Sequence, residues 1–280
     1  MATLMDGKGL SKKIESEIKK EVEKLKNKTG KVPTLATIIV GEDPASVTYV
    51  KMKQKACKRV GINSVSIELG VKTTTEELLN IINDLNNDPK INGILLQHPT
   101  PKQIDERKCF DAIDVKKDVD GVTALNFGSM TMGDKEAFLS ATPLGIKTLI
   151  EHYEIEVEGK EVLVIGRSAI LGKPVAMMML NKNATVTIAH AYSKDLATLC
   201  KRADIVVSCT GKSKLIKEDF LKEGAVVIDA GYNEDNVGDV DIENSKHKLS
   251  AYTPVPGGVG PMTIASLLSQ TLKSFKLTLK

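Results

Sequence analysis

Short apolar runs alternate with helix-length amphipathic stretches along most of this chain, and that alternation leaves few architectures open. TLATIIVG (34–41), SVSIEL (64–69) and GILLQ (93–97) have the length and β-branched content of buried strands. Helical spacing returns between them, from about residue 45 to 60 and after TTTEE (73–77). Strands separated by helices form βαβ units and pack as a parallel sheet. Ahead of the first run, Leu10, Ile14, Ile18, Val22 and Leu25 recur at helical spacing, and Gly30 supplies a stop, so residues 10–27 read as an amphipathic helix. The stretch 98–145 is richer in Pro, Gly and Asp and reads as connecting and site-forming loops in which the domain changes.

From Val162 the alternation resumes with EVLVIG (161–166), a helix after Pro174, ATVTIA (184–189), a helix around 195–202, DIVVSC (204–209) and AVVIDAG (225–231). Four such strands with helices between them specify a Rossmann-like dinucleotide-binding lobe. TPVPGGVGPMT (253–263) then precedes a final helix, from 264 to about 272, able to cross back to the first lobe. The expected class is α/β: an N-terminal α/β lobe, a Rossmann-like lobe and a returning C-terminal helix.

At 280 residues the chain exceeds the roughly 100–200 residues of one domain, in keeping with two lobes. Its 39 basic and 36 acidic residues are well mixed, and a net charge of +3 gives no reason to expect nucleic acid as a partner. MATLMDGKGLSKKIESEIKK lacks an apolar signal core, and no stretch approaches the ~18 apolar residues of a membrane span, so a cytoplasmic protein with no membrane partner is expected. Cys57, Cys109, Cys200 and Cys209 have no metal-ligand spacing and read as reduced, mostly buried thiols. His98, His152, His190 and His247 are scattered, and no metal is expected.

In EVLVIGRSAILGKP, Gly166 ends a strand and Gly172 heads a helix. Glycine suits both positions because the backbone must turn tightly and approach a pyrophosphate at the positive end of the helix. Ser168 stands where GxGxxG has its middle glycine, so spacing alone leaves a ligand-free turn open. Arg167 favours a bound phosphate, through parallel hydrogen bonds from its guanidinium and a hydroxyl from Ser168, and makes NADP a natural ligand. Upstream, Asp43 and Pro44 are placed to start a helix that sets Tyr49 and Lys53 on one face. Lining a cleft, the phenol would orient a flat ring while the ammonium, its pKa lowered by burial, relays a proton. The same spacing occurs on solvated helices, and position alone does not separate the two.

VGEDPASVTYVKMKQKAC, GILLQHPTP, KDVDGV, TPLG, VIGRSAILGKPVA, DIVVSCTG, VIDAGYN and TPVPGGVGPMT together resemble the bifunctional methylenetetrahydrofolate dehydrogenase/methenyltetrahydrofolate cyclohydrolase family, collinearly from about residue 35 to 270. PVPGGVGPMT and the GRSxxxGKP loop are highly specific to it. The resemblance implies a folate-binding catalytic lobe of residues 1–120 and 262–280, a Rossmann lobe of residues 121–261, an active cleft between them and a homodimer. It implies oxidation of 5,10-methylenetetrahydrofolate with NADP and hydrolysis of the methenyl product to 10-formyltetrahydrofolate, within one-carbon metabolism and purine biosynthesis. Lys53 would handle protons in the hydrolysis, with Gln97 hydrogen-bonded to it. Tyr49 would pack against the folate, and Asp120, in VDG, would accept hydrogen bonds from the pterin; these four are the implied catalytic and substrate-contacting set. Pro256, Gly257 and Gly258 would form a wall where missing side chains let a flat substrate approach the backbone. Gly166, Arg167, Ser168 and Gly172 would bind the dinucleotide, with Tyr232 and Thr263 near its nicotinamide end.

Three departures from the family pattern stand out. QHPTP replaces QLPLP, so His98 and Thr100 make the folate wall more polar. Ala189, His190 and Ala191 replace a Cys-His-Ser triplet whose serine helps hold the 2′-phosphate of NADP, which keeps NAD open as a cofactor. Tyr232 replaces an isoleucine. The presence of Lys53, Gln97 and Asp120 favours two activities over a dehydrogenase alone or a non-catalytic binding protein.

Overall fold

The structure, a computed structural model, describes residues 2–233 and 236–279. The chain opens with a short strand, β1 (Thr3–Leu4), and helix α1 (Gly7–Thr29), whose Leu10, Ile18 and Val22 are buried along the anticipated stripe. Then β2 (Thr34–Val40), α2 (Pro44–Val60), β3 (Asn63–Leu69), α3 (Thr75–Asn87) and β4 (Gly93–Leu96) alternate as expected. The strands run parallel in the order β3-β2-β4, so β2, buried at every residue, is central and β3 lies at an edge. Local chemistry sets the limits of α2: Asp43 accepts the Ser46 N–H at 2.8 Å, Pro44 occupies the first turn, and Gly61 ends the helix at φ 79°.

Two helices, α4 (Glu106–Asp111) and α5 (Ala124–Thr131), lie within the stretch expected to be loops, and α6 (Ala141–His152) begins at its end. The first two have only six and eight residues, too few for an apolar stripe to emerge among Pro, Gly and Asp. Side-chain caps hold them instead. Asp105 accepts the Lys108 N–H at 3.0 Å, and Thr123 Oγ1 accepts the Asn126 N–H at 3.1 Å.

The second series comprises β5 (Glu161–Ile165), α7 (Gly172–Leu180), β6 (Thr185–Ala189), α8 (Leu196–Arg202), β7 (Ile205–Ser208), β8 (Val226–Asp229), α9 (Ile242–Ser245) and β9 (Ala251–Tyr252), and ends in α10 (Val259–Leu277). Its parallel sheet has six strands, not four, in the order β1-β9-β8-β7-β5-β6. The two additions, β1 and β9, have two residues each and leave no apolar run to read. The chain steps from β5 to β6, then returns to β7 on the other side of β5. That reversal is a topological switch point, and ligands of open α/β sheets bind beyond the carboxyl ends of the strands there. α10 begins at Val259, ahead of the expected Ile264, and runs to Leu277; Pro261 is tolerated because the first turn of a helix needs no N–H.

Contacts divide the chain into two compact units. One holds the segment up to Ser11, Met130–Gly133 and Thr142–Thr263; the other holds Lys12–Ser129, Asp134–Ala141 and the segment from Ile264. In the latter, Ile264, Leu267, Leu268 and Phe275 of α10 pack with Ile18, Val22, Leu35 and Leu95. In the former, Leu163, Val206 and Val227 of the sheet pack with Cys200, Leu221 and Leu249. Each buried leucine or isoleucine stabilises its core by ~1.5–3 kcal/mol. Among the described residues, no helix is long and apolar enough to cross a membrane.

Candidate active site

Tyr49 and Lys53 sit one turn apart on α2, Tyr49 partly buried and Lys53 only 9% exposed. A buried ammonium needs a partner. Lys53 Nζ donates to Gln97 Oε1 at 2.9 Å. Gln97 follows the last residue of β4 and is fixed twice more: its N–H donates to the Ile38 carbonyl at 2.8 Å and its Nε2 to the His98 carbonyl at 2.7 Å. The amide thus has one orientation, with its oxygen toward the lysine. Burial pushes the pKa of Lys53 down, and the negative charge of Asp120 opposes the shift. Burial likewise raises the Asp120 carboxyl to about 6, with Lys53 pulling it back and Asp118 adding to the rise. A lysine whose ammonium is destabilised, beside a carboxyl titrating near neutrality, is equipped for proton transfer.

The turn carrying Asp120 depends on residues that the sequence reading did not single out. Buried Asp118 accepts the N–H groups of Val122 and Thr123, both at 3.0 Å, and Asn126 Nδ2 at 2.8 Å. Gln270 of α10 donates to the Val119 carbonyl at 2.8 Å and the Leu139 carbonyl at 2.7 Å. Partners this distant in sequence leave no local pattern, although the paired carboxylates of KDVDG offered a signal for Asp118. His98 Nδ1 lies 2.9 Å from both carboxylate oxygens of Glu106, and that bond raises the imidazole pKa against the effect of burial. Burial would raise Glu106, but His98 and the Thr100 N–H, 3.0 Å away, outweigh it and hold the carboxyl low.

In the other unit, β5 is followed by Gly166 at φ +128°, where a Cβ would stand 2.5 Å from Cys209 Sγ, and a Cβ on Gly172 would run into the Gly166 carbonyl. Bare glycine at both points lets the loop fold flat at the head of α7, beside the switch point, and leaves the backbone open to a pyrophosphate. Ser168 Oγ accepts the N–H groups of Leu171 at 3.2 Å and Gly172 at 3.4 Å, so it shapes the loop while keeping its own proton to donate. Arg167 Cζ lies 5.8 Å from the centre of the Tyr192 ring. Ala191 has no hydroxyl, but Ser193 closes the same turn, its Oγ accepting the His190 N–H at 2.9 Å. This loop fits a dinucleotide, and Arg167 supplies charge for a phosphate.

Tyr232 lies beyond β8 and is 55% exposed. Pro256, Gly257 and Gly258 form the turn ahead of α10; Gly257 has φ +108° and its carbonyl accepts the Lys8 N–H at 2.8 Å. Thr263 Oγ1 pairs with Thr142 Oγ1 at 3.0 Å. Tyr49, Lys53, Gln97 and Asp120 therefore belong to one unit, and Gly166, Arg167, Ser168, Gly172, Tyr232, Pro256, Gly257, Gly258 and Thr263 to the other. All four cysteines are free, and burial pushes the thiols up to about 12 at Cys57, Cys200 and Cys209 and about 11 at Cys109.

Residues 5–120 match the model of the tetrahydrofolate dehydrogenase/cyclohydrolase catalytic domain, and residues 140–279 that of its NAD(P)-binding domain. The chain is 58% identical to the bifunctional protein FolD of Teredinibacter turnerae over 273 residues, 98% of this chain and 97% of that one. Its fold is similar to that of the bifunctional FolD methylenetetrahydrofolate dehydrogenase/cyclohydrolase from Campylobacter jejuni, with a TM-score of 0.96 and 46% identity over 99% of each chain. It is also similar to the Trypanosoma brucei N5,N10-methylenetetrahydrofolate dehydrogenase-cyclohydrolase solved with NADP and an inhibitor, with a TM-score of 0.96 and 34% identity over 100% of this chain and 99% of that one. With both strand-helix series matched by family models and relatives alike over nearly their whole length, the chain belongs to the tetrahydrofolate dehydrogenase/cyclohydrolase family.

Proposed function

We propose that this enzyme oxidises 5,10-methylenetetrahydrofolate to 5,10-methenyltetrahydrofolate with NADP and then hydrolyses the product to 10-formyltetrahydrofolate. The observation that carries the reading is the buried Lys53 donating to Gln97 with Asp120 acting on its charge, in a chain of this family. NADP, when bound, accepts the hydride. That step needs alignment and no catalytic acid. Hydride loss leaves a methenyl cation between two folate nitrogens, to which water adds. As one carbon–nitrogen bond breaks, both water protons leave the oxygen, one ending on the released nitrogen and one in solvent. Lys53, its ammonium destabilised by burial, takes the first proton as a neutral amine and passes it on, while Gln97 holds the amine in place.

Tyr49 packs against the folate ring, and Asp120 accepts hydrogen bonds from its pterin nitrogens. Pro256, Gly257, Gly258 and Thr263 contribute further folate contacts. Gly166, Arg167, Ser168 and Gly172 hold the dinucleotide, with Tyr232 toward its nicotinamide. The same reading makes the protein a cytoplasmic homodimer that supplies formyl groups to one-carbon metabolism and purine biosynthesis.

The test mixes wild type and Lys53→Met with 5,10-methylenetetrahydrofolate and either NADP or NAD, follows absorbance, and acidifies samples to recover methenyl product. The wild type should reduce the cofactor and yield 10-formyl product. Lys53→Met should lose hydrolysis by about 100-fold or more while hydride transfer persists. Failure of folded, folate-binding wild type to reduce either cofactor would overturn the reading.

A further inference from the structure

Two carboxylates in the sheet unit, Asp229 at 1% and Asp239 at 0% exposure, take no part in the chemistry above. Asp239 Oδ2 accepts the Ser208 hydroxyl at 2.9 Å and the Thr210 N–H at 2.6 Å, and its Oδ1 accepts the Lys212 N–H at 3.0 Å. Asp229, the last residue of β8, accepts the N–H groups of Gly231 at 2.9 Å and Asp239 at 3.1 Å on Oδ1, and that of Val240 at 2.9 Å on Oδ2. Its own N–H donates to Thr253 Oγ1 at 2.8 Å, at the head of the segment leading to Pro256. A glycine makes room for each carboxylate: a Cβ on Gly231 would strike Asp239, and one on Gly238 would strike Asp229.

A buried carboxylate persists only where hydrogen bonds replace its hydration, and charge-assisted bonds to backbone N–H groups are among the strongest available. What these bonds secure is the backbone just beyond β7 and β8. The loop that Asp239 grips directly follows Cys209, which donates its N–H to the Ile165 carbonyl at 2.9 Å and lies against Gly166. The carboxylate is thereby linked through one short loop to the glycine turn at the switch point, where a dinucleotide binds.

We infer that Asp239 is a positioning residue for the dinucleotide: its carboxylate holds the loop after β7 against the glycine turn before any ligand arrives, so that NADP meets a preformed site. The inference rests on the reading that this chain binds NADP. Asp239→Asn preserves volume but keeps only one acceptor, so its amide donor must face either the Ser208 hydroxyl and Thr210 N–H or the Lys212 N–H, and one side of the loop loses its hold. Three measurements on the full chain separate the outcomes: calorimetric titration with NADP, hydrolysis of methenyltetrahydrofolate without NADP, and amide hydrogen exchange.

The variant should bind NADP about tenfold or more weakly, with hydrolysis within about twofold of wild type. In NADP-free wild type, the Thr210 and Lys212 amides should be protected from exchange, and the variant should lose that protection. A merely structural aspartate would lower stability and both functions together. Equal NADP affinity in a folded variant overturns the inference while leaving the proposed function intact. If the variant does not fold, wild-type exchange decides: unprotected amides at Thr210 and Lys212 without NADP overturn it. Wild type that fails to bind NADP at all overturns the proposed function and this inference together.

Discussion

At Asp120, burial raises the carboxyl to about 6 against the pull of Lys53. In its proposed role as a hydrogen-bond acceptor for substrate it must be ionised, so the KM for the methenyl substrate should rise as pH falls below about 6, approaching tenfold per pH unit. Asp120→Asn should have a high KM at every pH and lose that inflection. Stability runs the opposite way. A carboxyl raised from its ordinary 3.8 to about 6 binds more protons folded than unfolded, so stability is greatest below that window and declines as pH rises through it. Unfolding midpoints of wild type relative to Asp120→Asn should therefore decline between about pH 4 and pH 6.5; a flat difference would contradict the buried setting. At this scale legibility was uneven. Asp43 could be read as a cap from its neighbours alone, whereas Tyr49 and Lys53 gave a spacing shared by solvated helices, and only the 2.9 Å bond to Gln97 shows that the lysine points inward.

Among the elements, α3 shows how far local signals reach. Thr74 Oγ1 accepts the Glu77 N–H at 3.2 Å, and the Glu77 carboxylate accepts the Thr74 N–H at 2.8 Å, a reciprocal capping box. Of the helix's thirteen residues only Leu78 and Ile82 are buried, so its end receives little help from packing. Thr74→Ala should cost about 1 kcal/mol, read from urea unfolding, with the activity of the folded enzyme unchanged. The opposite case is the 98–145 stretch. α4 and α5 are too short for periodicity to separate from turn-rich composition, and they form because Asp105, Thr123 and Asp118 meet N–H groups that the turns deliver to them.

For the whole molecule, the outer edge of β3 is a candidate seat for the proposed homodimer. Among the described residues no strand pairs with that edge, and Val65 upon it is 40% exposed. An unpaired strand edge is a template for another chain, and a second copy offers the same edge by two-fold symmetry. Light scattering behind a sizing column should report a dimer, and Val65→Asp should shift the population toward monomer. A monomeric wild type at micromolar concentration would remove the homodimer from the proposed function.

The sequence by itself determined the strand-helix alternation, the tight turn at Gly166 and Gly172 and the cap of α2, because each is written in a few neighbouring residues, and it determined the family through motifs collinear along the chain. That the turn takes a dinucleotide followed from Arg167 and the family resemblance rather than from glycine spacing. Tertiary structure decided what those residues face, and it gave a geometry to the Lys53–Gln97 pair that the family resemblance had only implied. Gln97 reaches Lys53 across 44 residues, Ser208 reaches Asp239 across 31, and Gln270 reaches the turn of Asp120 across 151. β9 exists only because β8 offers it an edge, and β1 only because β9 does. Such contacts depend on which groups the packed chain excludes from water together, and burial of that kind leaves no trace in local spacing.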